Sequence, residues 1–230
     1  MKTIGMIGGM SWESSIEYYR IVNEFTHQKL GKLHNARSLM FTVDFDEVEL
    51  LQRENRWDEA DEILVDAARR LERGGADFIV ICTNTMHKSV PRISAEVSLP
   101  ILHIADATAS RVKDQGITKI GLLGTRYTME EDFYKGRLTD AAGLEVLIPE
   151  KEDRDEVHRV IFEELVLGKM VPSSKLRLLE IVDKLIYEGA QGVILGCTEI
   201  GLLLKPEDRS VPLFDTTLIH AQAAVELALG

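Results

Sequence analysis

The chain repeats itself, and that repetition limits the folds open to it. "IGMIGG" from Ile4 recurs as "IGLLGT" from Ile120, "GADFIVICTNT" from Gly75 recurs as "GAQGVILGCTE" from Gly189, and "LPILHIADAT" recurs as "VPLFDTT" with Pro100 over Pro212. Three matches in one order at nearly constant spacing mean two similar halves. Each matched segment is a short, unbroken apolar run, the pattern of a parallel strand covered on both faces.

Eight such runs read as strands: "TIGMIGG", "SLMFTVDF", "DFIVICT", "LPILHIA", "KIGLLGT", "LEVLIPE", "GVILGCT" and "VPLFDTT". Amphipathic segments over residues 13–30, 58–74, 130–142, 152–169 and 174–188 read as crossover helices between them. Alternating strand and helix predicts an α/β chain of two pseudosymmetric, Rossmann-like halves with parallel sheets, about four strands each. The expected domains are residues 1–105 with 214–230, and residues 106–213, the last helix packing back on the first half. Thr128 and Glu131 form a capping-box pattern, and Asp58 is placed to cap the helix that ends near Gly74 and Gly75.

Composition narrows the function. A chain of 230 residues with 45% apolar residues can bury a full core, and a net charge of -11 argues against nucleic-acid or anionic-membrane surfaces. A small-molecule substrate fits better. "MKTIGMIGGM" resembles neither a secretory signal nor a membrane span, so a cytoplasmic location is expected. Two cysteines are too few for a disulfide framework, and no ligand spacing suggests a structural metal site.

The repeat also picks out chemistry. Gly75 over Gly189 sets Cys82 over Gly196, Thr83 over Cys197, Asn84 over Thr198 and Thr85 over Glu199. Side chains alternate along a strand, so Cys82 and Thr83 point to opposite faces. Thr83 and Cys197 therefore stand at the carboxyl edge, where open α/β sheets bind ligands, and Cys82 belongs to the core. If the halves face each other across a pseudo-twofold axis, Thr83 and Cys197 address one ligand from opposite sides. Asn84, Thr85 and Thr198 add hydroxyl and amide groups suited to holding a carboxylate.

"GGM" at 8–10, "TNTMH" at 83–87, "GCTEIGLL" at 196–203 and "PLFDTTLIHAQAAV" at 212–225 resemble the cofactor-independent aspartate/glutamate racemase family over nearly the whole chain. The resemblance implies one active site in a cleft between two domains, no pyridoxal phosphate or metal, a homodimer, and an acidic amino acid as substrate. It also implies that Met10, Gln52 and Thr125 line the cleft, with Glu199 near the substrate ammonium. Family members usually carry cysteine in both motifs. Here the first is replaced by Thr83, and "GGMSWES" stands where GGMGP is more usual.

Inverting an α-carbon needs a base on one face and an acid on the other. Cysteine suits the base role when a helix N-terminus lowers its pKa, the expectation for Cys197. A threonine hydroxyl is a far weaker acid, so Thr83 and Cys197 should work asymmetrically, an L-preferring enzyme being the form expected. Gln52, Arg53 and Lys169 are candidates to meet the substrate's side-chain carboxylate. Other readings stay open. Thr83 can simply cap a helix, and His87, His103 and His220 can be structural. The Gly5, Gly8, Gly9 spacing does not fit dinucleotide binding. "PEKEDRDE" reads as a solvated helix start. A related isomerase or decarboxylase of small dicarboxylates, or a non-catalytic acidic amino-acid sensor, would suit the same scaffold.

Overall fold

The computed structural model describes residues 1–230, the side chain of Ala141 left aside. It is an α/β fold with two parallel sheets in two compact units, Met1–His103 with His220–Gly230, and Ile104–Ile219. The second unit thus keeps Phe214–Ile219, which the sequence had assigned to the first half. The reason is that the final strand pairs within the second sheet before the chain leaves it. Among the described residues, no helix is long and apolar enough to cross a membrane.

In the first unit, β1 (Ile4–Gly8) lies between β2 (Ser38–Thr42) and β3 (Phe78–Ile81), all parallel. Alternation divides the core cleanly. Ile4, Met6, Phe78, Val80 and Cys82 pack on Tyr18 and Val22 of α1 (Trp12–Leu30) and on Ala224 and Val225 of the C-terminal helix. Ile7, Ile79 and Ile81 pack on α2 (Phe45–Arg53), α3 (Trp57–Arg73) and α4 (Val90–Ser94). "LPILHIA" supplies only a bridge between Ile79 and Ile101. Its ladder is two bonds, Ile79 N–H to the Pro100 carbonyl and Leu102 N–H to the Ile79 carbonyl, before helix begins at Ile104.

The second unit opens with α5 (Ile104–Lys113). Its sheet has the order β5 (Glu145–Leu147), β4 (Lys119–Gly124), β6 (Val193–Gly196), β7 (Leu213–Asp215), again all parallel. The helices α6 (Arg126–Glu130), α7 (Lys151–Glu163), α8 (Pro172–Tyr187), α9 (Ile200–Leu203) and α10 (Thr216–Leu229) complete the fold.

The repeat is visible in the hydrogen bonds. Where α3 feeds β3, Gly75 N–H donates to the Glu72 carbonyl and Ala76 N–H to the Leu71 carbonyl. Where α8 feeds β6, Gly189 N–H donates to Ile186 and Ala190 N–H to Leu185. Gly75 (φ 86°) and Gly189 (φ 100°) hold the left-handed conformation that closes a helix and that side chains disfavour. The next residues match as well. Asp77 N–H donates to the Thr3 carbonyl and Gln191 N–H to the Lys119 carbonyl, both at 2.9 Å.

Local details differ from the sequence reading. α2 and α5 were not foreseen. α2 buries only Val48, Leu51 and Gln52, too few for a periodic signal, although Asp44 caps it by accepting from Asp46 N–H at 3.0 Å. In place of one helix over 130–142, α6 ends at Glu130 and a π-helical turn covers Arg137–Ala141. Thr125, not Thr128, is its N-cap and accepts the Thr128 N–H, so the helix starts early. α3 begins after Arg56 without a side-chain cap, which leaves Asp58 in its first turn to complement the helix dipole. The acidic run of α7 is not wholly solvated. Asp153 is buried and takes Arg177 and Lys184 on its two oxygens, each at 2.6 Å.

Three imidazoles cluster inside the first unit. His87 lies 4.6 Å from His103 and 5.6 Å from His220, ring centre to ring centre. His220 Nε2 donates to the Leu102 carbonyl at 2.8 Å, since a carbonyl can only accept, and Nδ1 accepts from the Tyr18 hydroxyl at 2.8 Å. Burial lowers His220 to about 4.

Two stability predictions follow from this packing. A Cβ on Gly201 would lie 2.4 Å from Oδ2 of Asp215, whose other oxygen accepts the first N–H groups of α10. Gly201→Ala should therefore cost about 1–3 kcal/mol in denaturant unfolding, and an unchanged midpoint would remove the close-approach argument. His220 is neutral when folded near pH 5 and charged when unfolded, where it titrates at about 6.5. The unfolded state thus binds the extra proton between about pH 4 and 6.5, and stability falls as pH drops through that window, by up to about 3 kcal/mol from this group. Unfolding midpoints at pH 7.5 and 5 should differ less in His220→Asn than in the wild type, and equal differences would refute the assignment.

Candidate active site

Strands buried on both faces can offer polar groups only at their ends, and the sequence places its polar motifs there. At the carboxyl end of β1, Gly9 has φ 95°, and a Cβ on it would come within 2.2 Å of the Val43 carbonyl oxygen. The backbone can make this turn only as glycine. Its N–H donates to Ser15 Oγ at 2.7 Å, Ser15 Oγ donates to the Ser11 carbonyl at 2.8 Å, and Ser11 caps α1. "GGMSWESS" is therefore a turn tied to the helix that follows it, with Met10 buried between.

At the end of β3, Cys82 is fully buried, and burial pushes its thiol far above the ordinary range. Thr83 is half-buried, while Asn84 and Thr85 are buried. The peptides on both sides of Thr83 are held by side chains: Ser14 Oγ donates to the Cys82 carbonyl and His87 Nδ1 to the Thr83 carbonyl, each at 2.8 Å. Gln52 is buried on α2, its amide nitrogen 3.0 Å from Met86 Sδ.

In the second unit Gly124 and Gly196 are paired in register, and a Cβ on Gly196 would lie 2.8 Å from the Leu123 carbonyl oxygen. The two strands approach closely there, so Thr125 and Cys197 leave the sheet on neighbouring strands. Cys197 is buried, and its thiol donates to Glu199 Oε2 at 3.0 Å. The Thr198 hydroxyl donates to the same oxygen at 2.6 Å. The thiol is pushed well up, first by burial and then by the charge of Glu199 and its hydrogen bond. This corrects the expectation of a lowered thiol. The Glu199 and Ile200 N–H groups do favour the thiolate, but four-residue α9 supplies little beyond them, and burial with a carboxylate prevails.

The first unit thus gathers Met10, Thr83, Asn84 and Thr85 at one sheet edge, with Gln52 beside Met86 just after them. The second gathers Thr125, Cys197, Thr198 and Glu199. Arg53 is exposed and faces Glu49 at 3.5 Å, and Lys169 is exposed on a loop, so neither joins a cluster. The sequence reading missed Ser14 and Ser15. The available signal was their position just after the N-cap Ser11, where hydroxyls reach neighbouring backbone. Among the described residues, no group of three or more His, Cys, Asp or Glu side chains is placed to hold a metal ion.

Comparison with known proteins bears on the family and the fold. The Asp/Glu/Hydantoin racemase family model matches residues 7–224. A Yersinia pestis protein described as a candidate Asp/Glu racemase has 53% identity and a TM-score of 0.93, with 100% of both chains covered. An aspartate racemase homologue from Pyrococcus horikoshii OT3 has 38% identity and a TM-score of 0.86, again over 100% of both chains. The broad specificity amino-acid racemase RacX of Bacillus subtilis is 25% identical over 176 residues, 75% of this chain and 74% of that protein. With two parallel sheets whose glycine turns and strand-end motifs repeat, and with this match over nearly its whole length, the chain belongs to the Asp/Glu/hydantoin racemase family and is an isomerase.

Proposed function

We propose that the chain racemises aspartate or glutamate without a cofactor, with Cys197 and Thr83 as the acid–base pair on opposite faces of the substrate's α-carbon. The observation that carries this reading is the thiol of Cys197 hydrogen-bonded to the buried carboxylate of Glu199. A thiol next to a carboxylate has a proton acceptor within reach but does not ionise while both would be charged in a dry site. An incoming ammonium group beside the sulfur stabilises the negative charge once it has moved there from the carboxylate. The Cys197 proton then passes to Glu199, the thiolate removes the α-proton, and the Thr83 hydroxyl gives a proton to the opposite face. Solvent restores the Thr83 proton and takes the one held by Glu199. Met10, Gln52, Asn84, Thr85, Thr125 and Thr198 hold the substrate in this reading. A hydroxyl is a poor base, so the direction that needs Thr83 to abstract a proton is the slow one, within the limit set by the equilibrium between enantiomers.

The deciding experiment incubates each enantiomer of aspartate and glutamate separately in D2O with the metal-free protein, reading α-deuterium by mass spectrometry and inversion by chiral chromatography. Deuterium incorporation with inversion is expected, falling at least a thousandfold in Cys197→Ser and largely surviving in Cys82→Ser. No exchange on any acidic amino acid would reject the substrate class, and equal turnover of both enantiomers would reject the asymmetry.

Replacing Glu199 separates two effects. The carboxylate holds the thiol up, so Glu199→Gln should lower the Cys197 pKa and speed its alkylation by iodoacetamide at pH 8 without substrate. The same change removes the proton acceptor and should lower kcat by about 10²–10³-fold. Alkylation and turnover moving in the same direction would contradict the role given to Glu199.

A further inference from the structure

Thr83 carries a backbone feature that racemase chemistry alone does not require. Its two flanking carbonyls are each held by a buried side-chain donor from a different element. Ser14, 2% exposed on α1, donates to the Cys82 carbonyl, and His87, 1% exposed in the 3-10 turn Thr85–Ser89, donates through Nδ1 to the Thr83 carbonyl. A carbonyl cannot donate, so Nδ1 carries the hydrogen. The His87 ring is in turn packed by His103 and His220, and His220 is fixed at both nitrogens by Leu102 and Tyr18. The residues that could swing the Thr83 peptide are therefore locked through a chain of ring contacts and hydrogen bonds.

We infer that Ser14 and His87 are positioning residues that clamp the backbone on either side of Thr83 and so set where its hydroxyl meets the substrate. The inference rests on the role proposed for Thr83. Cysteine and threonine differ in how well they tolerate misplacement. A sulfur is large, polarisable and reached by proton transfer over a longer contact, whereas a weakly acidic hydroxyl needs close hydrogen-bond geometry. Displacement by about 1 Å is enough to cost about a hundredfold in rate. On the Cys197 side the polar contacts run from the side chain itself, thiol to carboxylate. On the Thr83 side they run to the backbone. Burial and the two neighbouring histidines disfavour the charged ring, and the contact with the Thr83 carbonyl selects the tautomer that carries its hydrogen on Nδ1.

The test compares Ser14→Ala, His87→Leu and His87→Asn in the D2O assay, starting with the enantiomer whose proton Cys197 removes. His87→Leu fills the space without a donor, and His87→Asn restores an N–H at the δ position. Inversion should fall 10–100-fold in Ser14→Ala and His87→Leu, while deuterium exchange with retained configuration, which needs only Cys197, persists. His87→Asn should recover inversion to within about tenfold of wild type. KM should change less than kcat. Exchange and inversion falling together in all three variants would mean a merely structural role and overturn the inference, as would unchanged inversion. As a check independent of any variant, the nitrogen shifts of His87 in the labelled wild-type protein should report a neutral ring protonated at Nδ1 at pH 7, and an Nε2-protonated or charged ring would also overturn it. A wild-type chain that exchanges no acidic amino acid overturns this inference together with the functional reading, whereas an active wild type with an unaffected His87→Leu overturns the positioning role alone.

Discussion

Parallel strands covered on both faces leave the chain only one kind of place to put polar chemistry, the strand ends, and the structure is organised around that constraint. β1, β3 and β6 are buried along their whole length. Their side chains are committed to the helix layers. The first residues past the carboxyl ends of these strands and of β4 are Gly9 and Met10, Thr83 to Thr85, Thr125, and Cys197 to Glu199. Glycine at 9, 124 and 196 lets neighbouring backbones come close at these ends, where a Cβ would collide with a carbonyl, a threonine side chain or both. The candidate site residues are thus placed by the sheet rather than added to it.

The two halves share this scaffold but differ just past β3 and β6. Past β6, side chains control one another. Cys197 and Thr198 both donate to one oxygen of Glu199, and burial keeps the sulfur protonated. Past β3, control passes to the backbone through Ser14 and His87. A thiol can be tuned by its electrical surroundings across several pKa units, while a hydroxyl starts too far from neutrality for that to help and profits mainly from placement.

Much of this was legible in the residues. The repeat identified the halves, and alternation along the strand put Cys82 in the core. The reason it works is physical: Cys82 keeps company with Phe78 and Val80 on one face of the sheet, as period-two alternation requires. Short elements were not legible. α2 buries three residues and leaves no periodic trace, while the segment around Ile101, read as a strand, makes only a two-bond ladder. The state of Cys197 was also out of reach. Sequence showed a helix start after it but not the burial or the position of the Glu199 carboxylate, and those outweigh the N–H groups. Asp153 was misread for a similar reason, because its partners Arg177 and Lys184 come from a helix distant in sequence.

For the base role proposed for Cys197, a raised thiol pKa looks at first like an obstacle, yet it has a use. An exposed, ionised cysteine would be open to oxidation and alkylation whenever substrate was absent. Burial and the neighbouring carboxylate keep the proton on the Cys197 sulfur in the resting protein, so the arrangement that suppresses the thiolate also shields the sulfur from these reactions.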